Sequence, residues 1–226
     1  MYSLFTAEDC FLAKKEWRDA WYNRGPEPYA ALIDEFWYCL ALCPSVVRQA
    51  QLLRKRSLSG SGVDEEEILI ATRQTLELRD RFIEWNDTFL RCLPEPEEIP
   101  SQDDSSPYST MLTYATAWIG TLFMGYWASM LIIQDILEEW AGLAFEETSE
   151  DLLAQILKSV EFTSKGFMGL YRIGFSVRIA LEFANQEQRR WIRKLLRDRS
   201  ESFAATTPTP SPKMLRPIVR GALADG

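Results

Sequence analysis

Large apolar residues recur along most of the chain with the three- to four-residue spacing of amphipathic helices, and no segment shows the alternation of a strand. Clusters of Gly, Pro and Ser separate these segments. The pattern predicts an all-α fold, an irregular multi-helix bundle around a central apolar helix. The predicted helices are Ala7–Trp21, Tyr29–Leu42, a third from Pro44 through Leu53, a long helix from Asp64 to Phe89, and Asp151–Thr163, Arg172–Phe183 and Gln186–Phe203.

The central helix is predicted from a run of thirty residues without a charge, Ser105 to Gln134. Within it, Met111–Ile133 is long enough to cross a bilayer, for which about 20 apolar residues suffice. Both flanks are acidic and neither carries a Lys or Arg anchor, whereas membrane spans usually have such anchors. A buried core helix gives the same pattern and is favoured; a membrane anchor stays as an alternative.

Two polar, proline-rich segments interrupt the helical pattern. The acidic connector Leu93–Pro107 is expected to be too polar and too broken to pack, which makes it the internal linker. Residues 204–226 contain a Thr-Pro-Thr-Pro-Ser-Pro run followed by cations, and a disordered tail is expected. The helical domain is thus predicted over residues 1–203, with the connector at residues 93–107.

Composition restricts the chemistry that this chain can perform. It has 226 residues and no histidine, which excludes Ser-His-Asp and Cys-His catalysis and histidine-ligated metals. Its four dispersed cysteines predict a reducing, intracellular compartment and no zinc site. There is no Gly-rich phosphate loop, and the only adjacent aspartates, Asp103 and Asp104, lie in the connector. No catalytic residue, metal site or cofactor is predicted.

Charge is distributed unevenly along the chain, which has 25 basic and 33 acidic residues and a formal net charge of −8. Val63–Asp104 alone has a balance of −9, and Arg189–Arg199 has a balance of +5. The arginines of this last helix are expected to stay in water while Trp191, Ile192, Leu195 and Leu196 face inward. Because an acidic protein repels phosphate backbones, no DNA-binding residue and no autonomous nucleic-acid binding are predicted.

Aromatic side chains at helical spacing raise the question of a ligand pocket. Such residues, with a few polar groups, can line an apolar cavity that fixes a small-molecule effector. Ordinary core packing gives the same spacing and is the favoured interpretation. The candidate pocket residues are Trp37, Tyr114, Trp118, Tyr126, Trp127, Gln134, Glu161 and Arg178.

Several passages, taken in order, resemble the helical regulatory domain of fungal zinc binuclear cluster transcription factors. Gln134 stands where that family commonly has histidine. The resemblance covers about residues 10 to 203. The matching passages are Glu16–Trp21, Leu40–Val47, Tyr126–Ile133 (YWASMLII), Ile156–Phe162 (ILKSVEF), Val177–Phe183 (VRIALEF) and Arg190–Ile192.

The resemblance implies a nuclear, non-catalytic domain that regulates metabolic or secondary-metabolite genes, and a buried central helix in place of a membrane span. It also implies a protein partner or a homo-oligomer, and a small molecule as effector. The family's six-cysteine DNA-reading cluster has no counterpart here, so zinc binding and direct DNA recognition are not carried over. A truncated form of a longer factor and a stand-alone derivative both stay open. The alternative function is a stand-alone small-molecule-binding protein or enzyme on the same scaffold.

Overall fold

The computed structural model describes residues 10–17, 29–60 and 62–201, with side chains described to residue 198. The predicted tail at residues 204–226 lies outside the described residues, as do residues 7–9 and 18–21 of the first predicted helix. The first described element is a short 3₁₀ helix, Phe11–Ala13. The elements that follow are α1 (Ala30–Leu58), α2 (Glu65–Cys92), β1 (Glu97–Pro100), β2 (Thr110–Thr113), α3 (Ala117–Ala141), α4 (Ser149–Thr163), α5 (Gly169–Phe183) and α6 (Gln186–Glu201).

The predicted all-α class is confirmed, since 74% of the residues that the structure describes are helical and their only sheet is small and two-stranded. Contacts within the chain divide it into two units. Among the described residues, the first unit contains residues up to 93 together with 132–145. The second contains residues 94–131 and 146 onward. Helix α3 supplies residues to both units.

Helix α1 corrects the predicted break at Pro44. The structure has one helix across this position, although proline lacks a backbone N–H and usually interrupts the hydrogen-bond ladder. Pro44 is buried, with Cys43 before it and Val46 and Val47 after it, and α1 packs along α2. Apolar burial on both sides of the proline therefore keeps the two predicted helices continuous.

Helix α2 begins where the sequence predicts. Asp64 is its N-cap, and the Asp64 carboxylate accepts a hydrogen bond from the Glu66 N–H at 3.1 Å. The buried stripe of α2 packs aromatic rings against α1: Trp85 lies 4.6 Å from Phe36 and 4.7 Å from Phe89, measured between ring centroids. This helical hairpin is the main body of the first unit.

The connector is not an unpacked linker, so that prediction is wrong. β1 and β2 pair antiparallel with Glu97 opposite Thr113 and Pro100 opposite Thr110. In the loop between the strands, the Asp103 carboxylate accepts hydrogen bonds from both the backbone N–H and the hydroxyl of Ser105. This local turn chemistry, together with contacts to α4, orders a polar segment that has no apolar periodicity.

Two described helices, α1 and α3, are long and apolar enough to cross a membrane by length and composition. In the most apolar window of α3, 89% of the residues are buried inside the protein, against 39% for α1. The burial of α3 is what the core-helix interpretation predicts, but the helix begins at Ala117, and Met111 to Thr113 at the start of the predicted stretch lie in β2 instead. The burial includes the whole Tyr126–Ile133 passage.

Candidate functional site

The predicted pocket aromatics Tyr114 and Trp127 lie in a packed ring stack of the second unit. Tyr114 stacks on Phe123 and Phe123 stacks on Trp127, with centroid distances of 5.5 Å in both pairs. Phe162 of α4 lies 5.9 Å from Tyr114. Both Tyr114 and Trp127 are buried, so these rings fill the core at this place.

The hydroxyl of Tyr114 is part of a buried polar chain. Its oxygen lies 2.5 Å from the Ser159 hydroxyl, which donates to the Gln155 carbonyl at 2.6 Å. Because the single Ser159 proton is used by Gln155, Tyr114 must be the donor to Ser159. Burial raises the pKa of the Tyr114 phenol well above its usual value. The phenol therefore stays neutral near pH 7 and has a structural role.

Glu161 is a buried carboxylate that holds the loop of the β-hairpin. Its two oxygens accept hydrogen bonds from the Ser101 hydroxyl at 2.8 Å and from the Gln102 N–H at 2.9 Å. A second anchor comes from α6, where the Trp191 indole N–H donates to the Asp103 carboxylate at 3.0 Å. Both carboxylate oxygens of Glu161 are thus occupied by donors of the hairpin loop.

The remaining predicted pocket residues are spread over both units. Tyr126 is buried in α3, and Trp118 is 43% exposed near its start. Arg178 of α5 is half-buried; desolvation lowers its pKa, and the nearby charge of Glu182 opposes that change. Trp37 and Gln134 belong to the first unit, Trp37 exposed on α1 and Gln134 buried in α3.

A half-open groove of about 420 Å³ lies instead in the first unit, between α1 and α2. None of the eight predicted pocket residues lines it. Its lining combines one guanidinium, two carboxylates, a hydroxyl and apolar surface. The lining residues are Leu32, Glu35, Arg81, Glu84, Trp85 and Thr88.

Charges of both signs face each other across this groove. Arg81 Nη1 lies 3.7 Å from Glu35 Oε1, and the Arg81 guanidinium lies 5.7 Å from the centre of the Tyr38 ring. The Trp85 indole N–H donates to the Leu32 carbonyl at 2.7 Å, which ties the two helices together along the groove. With Glu84, the lining has one negative charge more than it has positive charges.

The pKa of the buried Cys39 thiol is affected by the charges of Glu35 and Arg81 in this groove. Burial, helped by the negative charge of Glu35, raises the pKa of Cys39 to about 12. A thiol that stays protonated is a poor nucleophile and a poor metal ligand. Among the described residues, no group of three or more Cys, Asp and Glu side chains converges to hold a metal ion.

The α2 side of the groove, four of its six lining residues, could have been identified from the sequence. Arg81, Glu84, Trp85 and Thr88 follow helical i, i+3, i+4, i+7 spacing and so share one face of α2. The sequence alone does not show which part of α1 packs beside this face. The sequence analysis selected aromatic residues at helical spacing, and three of them, Tyr114, Tyr126 and Trp127, are core residues.

The two faces of α6 follow the prediction only in part, because Leu196 is half-buried and Arg189 is also half-buried, donating hydrogen bonds to the Leu181 and Glu182 carbonyls. Trp191, Ile192 and Leu195 are buried, while Arg193 and Lys194 are exposed. The Lys194 ammonium donates to the Ser105 hydroxyl at 3.1 Å, and so contacts the hairpin loop. The helix therefore closes the second unit with its apolar side and keeps Arg190, Arg193 and Lys194 exposed.

Comparisons with protein-family models, curated proteins and solved structures give no match for this chain. No residue role is transferred from a relative.

Proposed function

We propose that this chain is a non-catalytic helical regulatory module that controls transcription of metabolic or secondary-metabolite genes through protein partners or self-association. The observation that carries the proposal is the order of the passages that resemble the fungal regulatory domain. Tyr126–Ile133, Ile156–Phe162, Val177–Phe183 and Arg190–Ile192 fall in four successive helices, α3 to α6, and each supplies buried apolar residues. Motifs that build a helical core leave the helix surfaces to recognise partners.

The proposal is tested by tethering the whole chain to DNA through a heterologous DNA-binding domain and measuring a nuclear reporter gene. We expect at least about a fivefold change in output, in either direction, relative to the binding domain alone, which corresponds to a coupling of about 1 kcal/mol. An unchanged reporter with the fusion present in the nucleus contradicts the proposal.

A matched pair of variants tests whether the change in reporter output depends on the folded domain. Ile156→Asp places a charge in the core of α4 and should abolish the effect, since Ile156 is fully buried. Met168→Asp makes the same kind of change at the exposed N-cap of α5, where aspartate is a favoured residue, and should keep the effect.

We propose as a second function that the α1–α2 groove binds a small cationic amine, because its lining carries two carboxylates against one guanidinium. A panel of alkylamines and matched carboxylic acids, tested by thermal shift, checks this. The amines should raise the melting temperature of the intact chain, and Glu84→Gln should remove the shift. If amines and acids act alike, or if neither acts, the groove has no such role.

A further inference from the structure

Large apolar side chains remain in solvent where α1 ends and α2 begins. Leu52, Leu58, Leu69 and Ile70 are 50%, 80%, 57% and 45% exposed. We refer to these four residues, with the charged residues beside them, as the hairpin-tip surface. Isolated exposed leucines are ordinary, but these four all lie within about two helical turns of the loop between α1 and α2, so exposed apolar surface is concentrated at this end of the hairpin.

The two helix ends are held side by side at this surface. The Arg56 guanidinium pairs with the Glu67 carboxylate across the loop. Leu52 precedes Arg56 by four residues and Ile70 follows Glu67 by three, so each lies about one helical turn from the ion pair on the same side of its helix. Leu52 and Ile70 therefore both lie within about one helical turn of the ion pair that joins the two helix ends.

The charged residues of the hairpin-tip surface are separated by sign between the two helices. Lys55 is exposed at the end of α1, and Glu65 and Glu66 are exposed in the first turn of α2. The surface thus has a basic edge contributed by α1 and an acidic edge contributed by α2. A twofold axis through such a surface brings the basic edge of each copy against the acidic edge of the other.

We propose that the hairpin-tip surface binds a second copy of this chain in an isologous dimer. The apolar side chains would become buried at its centre, and Lys55 of each copy would face Glu65 and Glu66 of the other. An anionic lipid surface fits less well, because the acidic edge would be repelled by it. A partner of one charge sign would leave the opposite edge unmatched. The dimer deepens the self-association named in the proposed function and rests on that function only for its biological role.

Charge reversal tests the dimer in the intact chain. Lys55→Glu replaces the cation that would face Glu65 and Glu66 by a carboxylate, and the double variant Glu65→Lys, Glu66→Lys replaces those two carboxylates by ammonium groups. Both variants keep the Arg56–Glu67 pair. Sedimentation velocity from about 1 to 100 µM, the range in which a modest interface dissociates, should show a dimer for the native chain. We expect each variant alone to dissociate at least about tenfold more readily, and their equimolar mixture to regain the dimer as a heterodimer.

Matched controls keep the charge changes but move them elsewhere. Arg193→Glu on α6, and the double variant Glu150→Lys, Glu187→Lys in the first turns of α4 and α6, should leave the dimer intact. Circular dichroism verifies that every variant retains its helix content. A further variant, Leu58→Ser with Leu69→Ser, should weaken the dimer without altering its response to salt.

Three results overturn the inference: a monomer throughout the concentration range, a dimer that both charge variants leave unchanged, or variants that fail to pair when they are mixed. A monomeric native chain that pellets with phosphatidylglycerol vesicles also overturns it, in favour of a lipid surface. Reporter output in the tethering experiment is measured independently. A dimer with a silent reporter therefore contradicts only the proposed function, and an active monomer contradicts only the dimer.

Discussion

At the scale of single residues, two helical glycines differ in the space around them. A Cβ added at Gly120 would lie 2.5 Å from Thr163 Oγ1 and 2.8 Å from Tyr114 Cδ2, whereas a Cβ at Gly174 would meet nothing within 4 Å. Gly120 therefore allows α3 to lie close to α4 and to the ring of Tyr114, the residue that follows β2. Gly174 serves no such purpose in the second unit.

We expect Gly120→Ala and Gly174→Ala to change stability in opposite directions. Overpacking at Gly120 should destabilise the chain by about 1–3 kcal/mol, since Tyr114 is fixed by its ring stack. At Gly174, alanine should stabilise the chain by about 0.5–1 kcal/mol through its higher helix propensity. Urea unfolding of the two variants measures both values, and equal effects at the two sites would contradict the packing described for Gly120.

The Tyr114–Ser159 hydrogen bond gives a second residue-scale prediction. Tyr114→Phe keeps the stacked ring and leaves the Ser159 oxygen without its donor, and should cost about 1 kcal/mol of unfolding free energy. Tyr171→Phe is the control, because Tyr171 is 70% exposed and its hydroxyl can be replaced by solvent contacts. A loss of similar size in both variants would mean that the buried bond adds nothing.

At the scale of elements, the sequence and the structure agree where local signals suffice. The start of α2 follows from its Asp64 cap. Helix α4 begins at Ser149, two residues before the predicted Asp151, because a capping box between Thr148 and Asp151 sets its N-terminus. The prediction failed at Pro44, because burial against α2 outweighs the loss of one helical hydrogen bond. It failed again at the β-hairpin, where order comes from α4 and α6 side chains that are distant in sequence.

The candidate site follows the same division. The shared face of Arg81, Glu84 and Trp85 on α2 can be derived from helical spacing, but the alignment of Glu35 of α1 beside it depends on tertiary packing. Three of the five aromatic residues chosen from the sequence, Tyr114, Tyr126 and Trp127, are core residues for a physical reason, whereas Trp37 and Trp118 are exposed. Rings such as Tyr114 bury large apolar areas, and helical periodicity alone does not distinguish a filled interior from an empty one.

Anchoring of the hairpin by Glu161 gives the element-scale prediction. Glu161→Gln replaces one acceptor oxygen by an NH₂ group, which cannot accept from both Ser101 and Gln102. Amide hydrogen exchange in β1, β2 and the loop between them should accelerate by about tenfold, equivalent to one weakened hydrogen bond of about 1.4 kcal/mol.

Glu187→Gln is the control for this change, since Glu187 is exposed in the first turn of α6. It should leave the exchange of the hairpin as it is. If Glu161→Gln also leaves the Gln102 amide protected, the hairpin is held by its strand pairing and not by α4.

At the scale of the whole molecule, the missing histidine determines how stability depends on pH. Without an imidazole, no side chain with an ordinary pKa titrates between about pH 5 and 8, and we expect the urea midpoint to change little between pH 6 and 8. Stability should then decline on either side of this plateau, for different reasons in acid and in base.

In acid, three carboxylates of the second unit lose their hydrogen bonds. The Lys158 ammonium and the Thr110 hydroxyl lower the pKa of Glu98, and the Thr148 hydroxyl and N–H lower that of Asp151. Burial raises the pKa of Asp103, but hydrogen bonds from Ser105 and Trp191 outweigh it and leave the value lowered. Groups with lowered pKa values stabilise the fold above their ordinary pKa, so stability should fall below about pH 4.

In base, the raised pKa of Cys39 makes stability fall as the pH rises, the opposite of the carboxylates' pH dependence. Its pKa is raised from 9.0 to about 12, so the unfolded thiol ionises first and stability should fall as the pH rises above 9.0, by about 1 kcal/mol at pH 10. Cys39→Ala should remove this part of the alkaline decline, while Cys92→Ala, at an exposed position, should leave it in place. The slope of the urea midpoint between pH 9 and 10 distinguishes the variants. Equal slopes in all three proteins would mean that the Cys39 thiol reaches solvent in the folded state, and the α1–α2 packing described above would then be wrong.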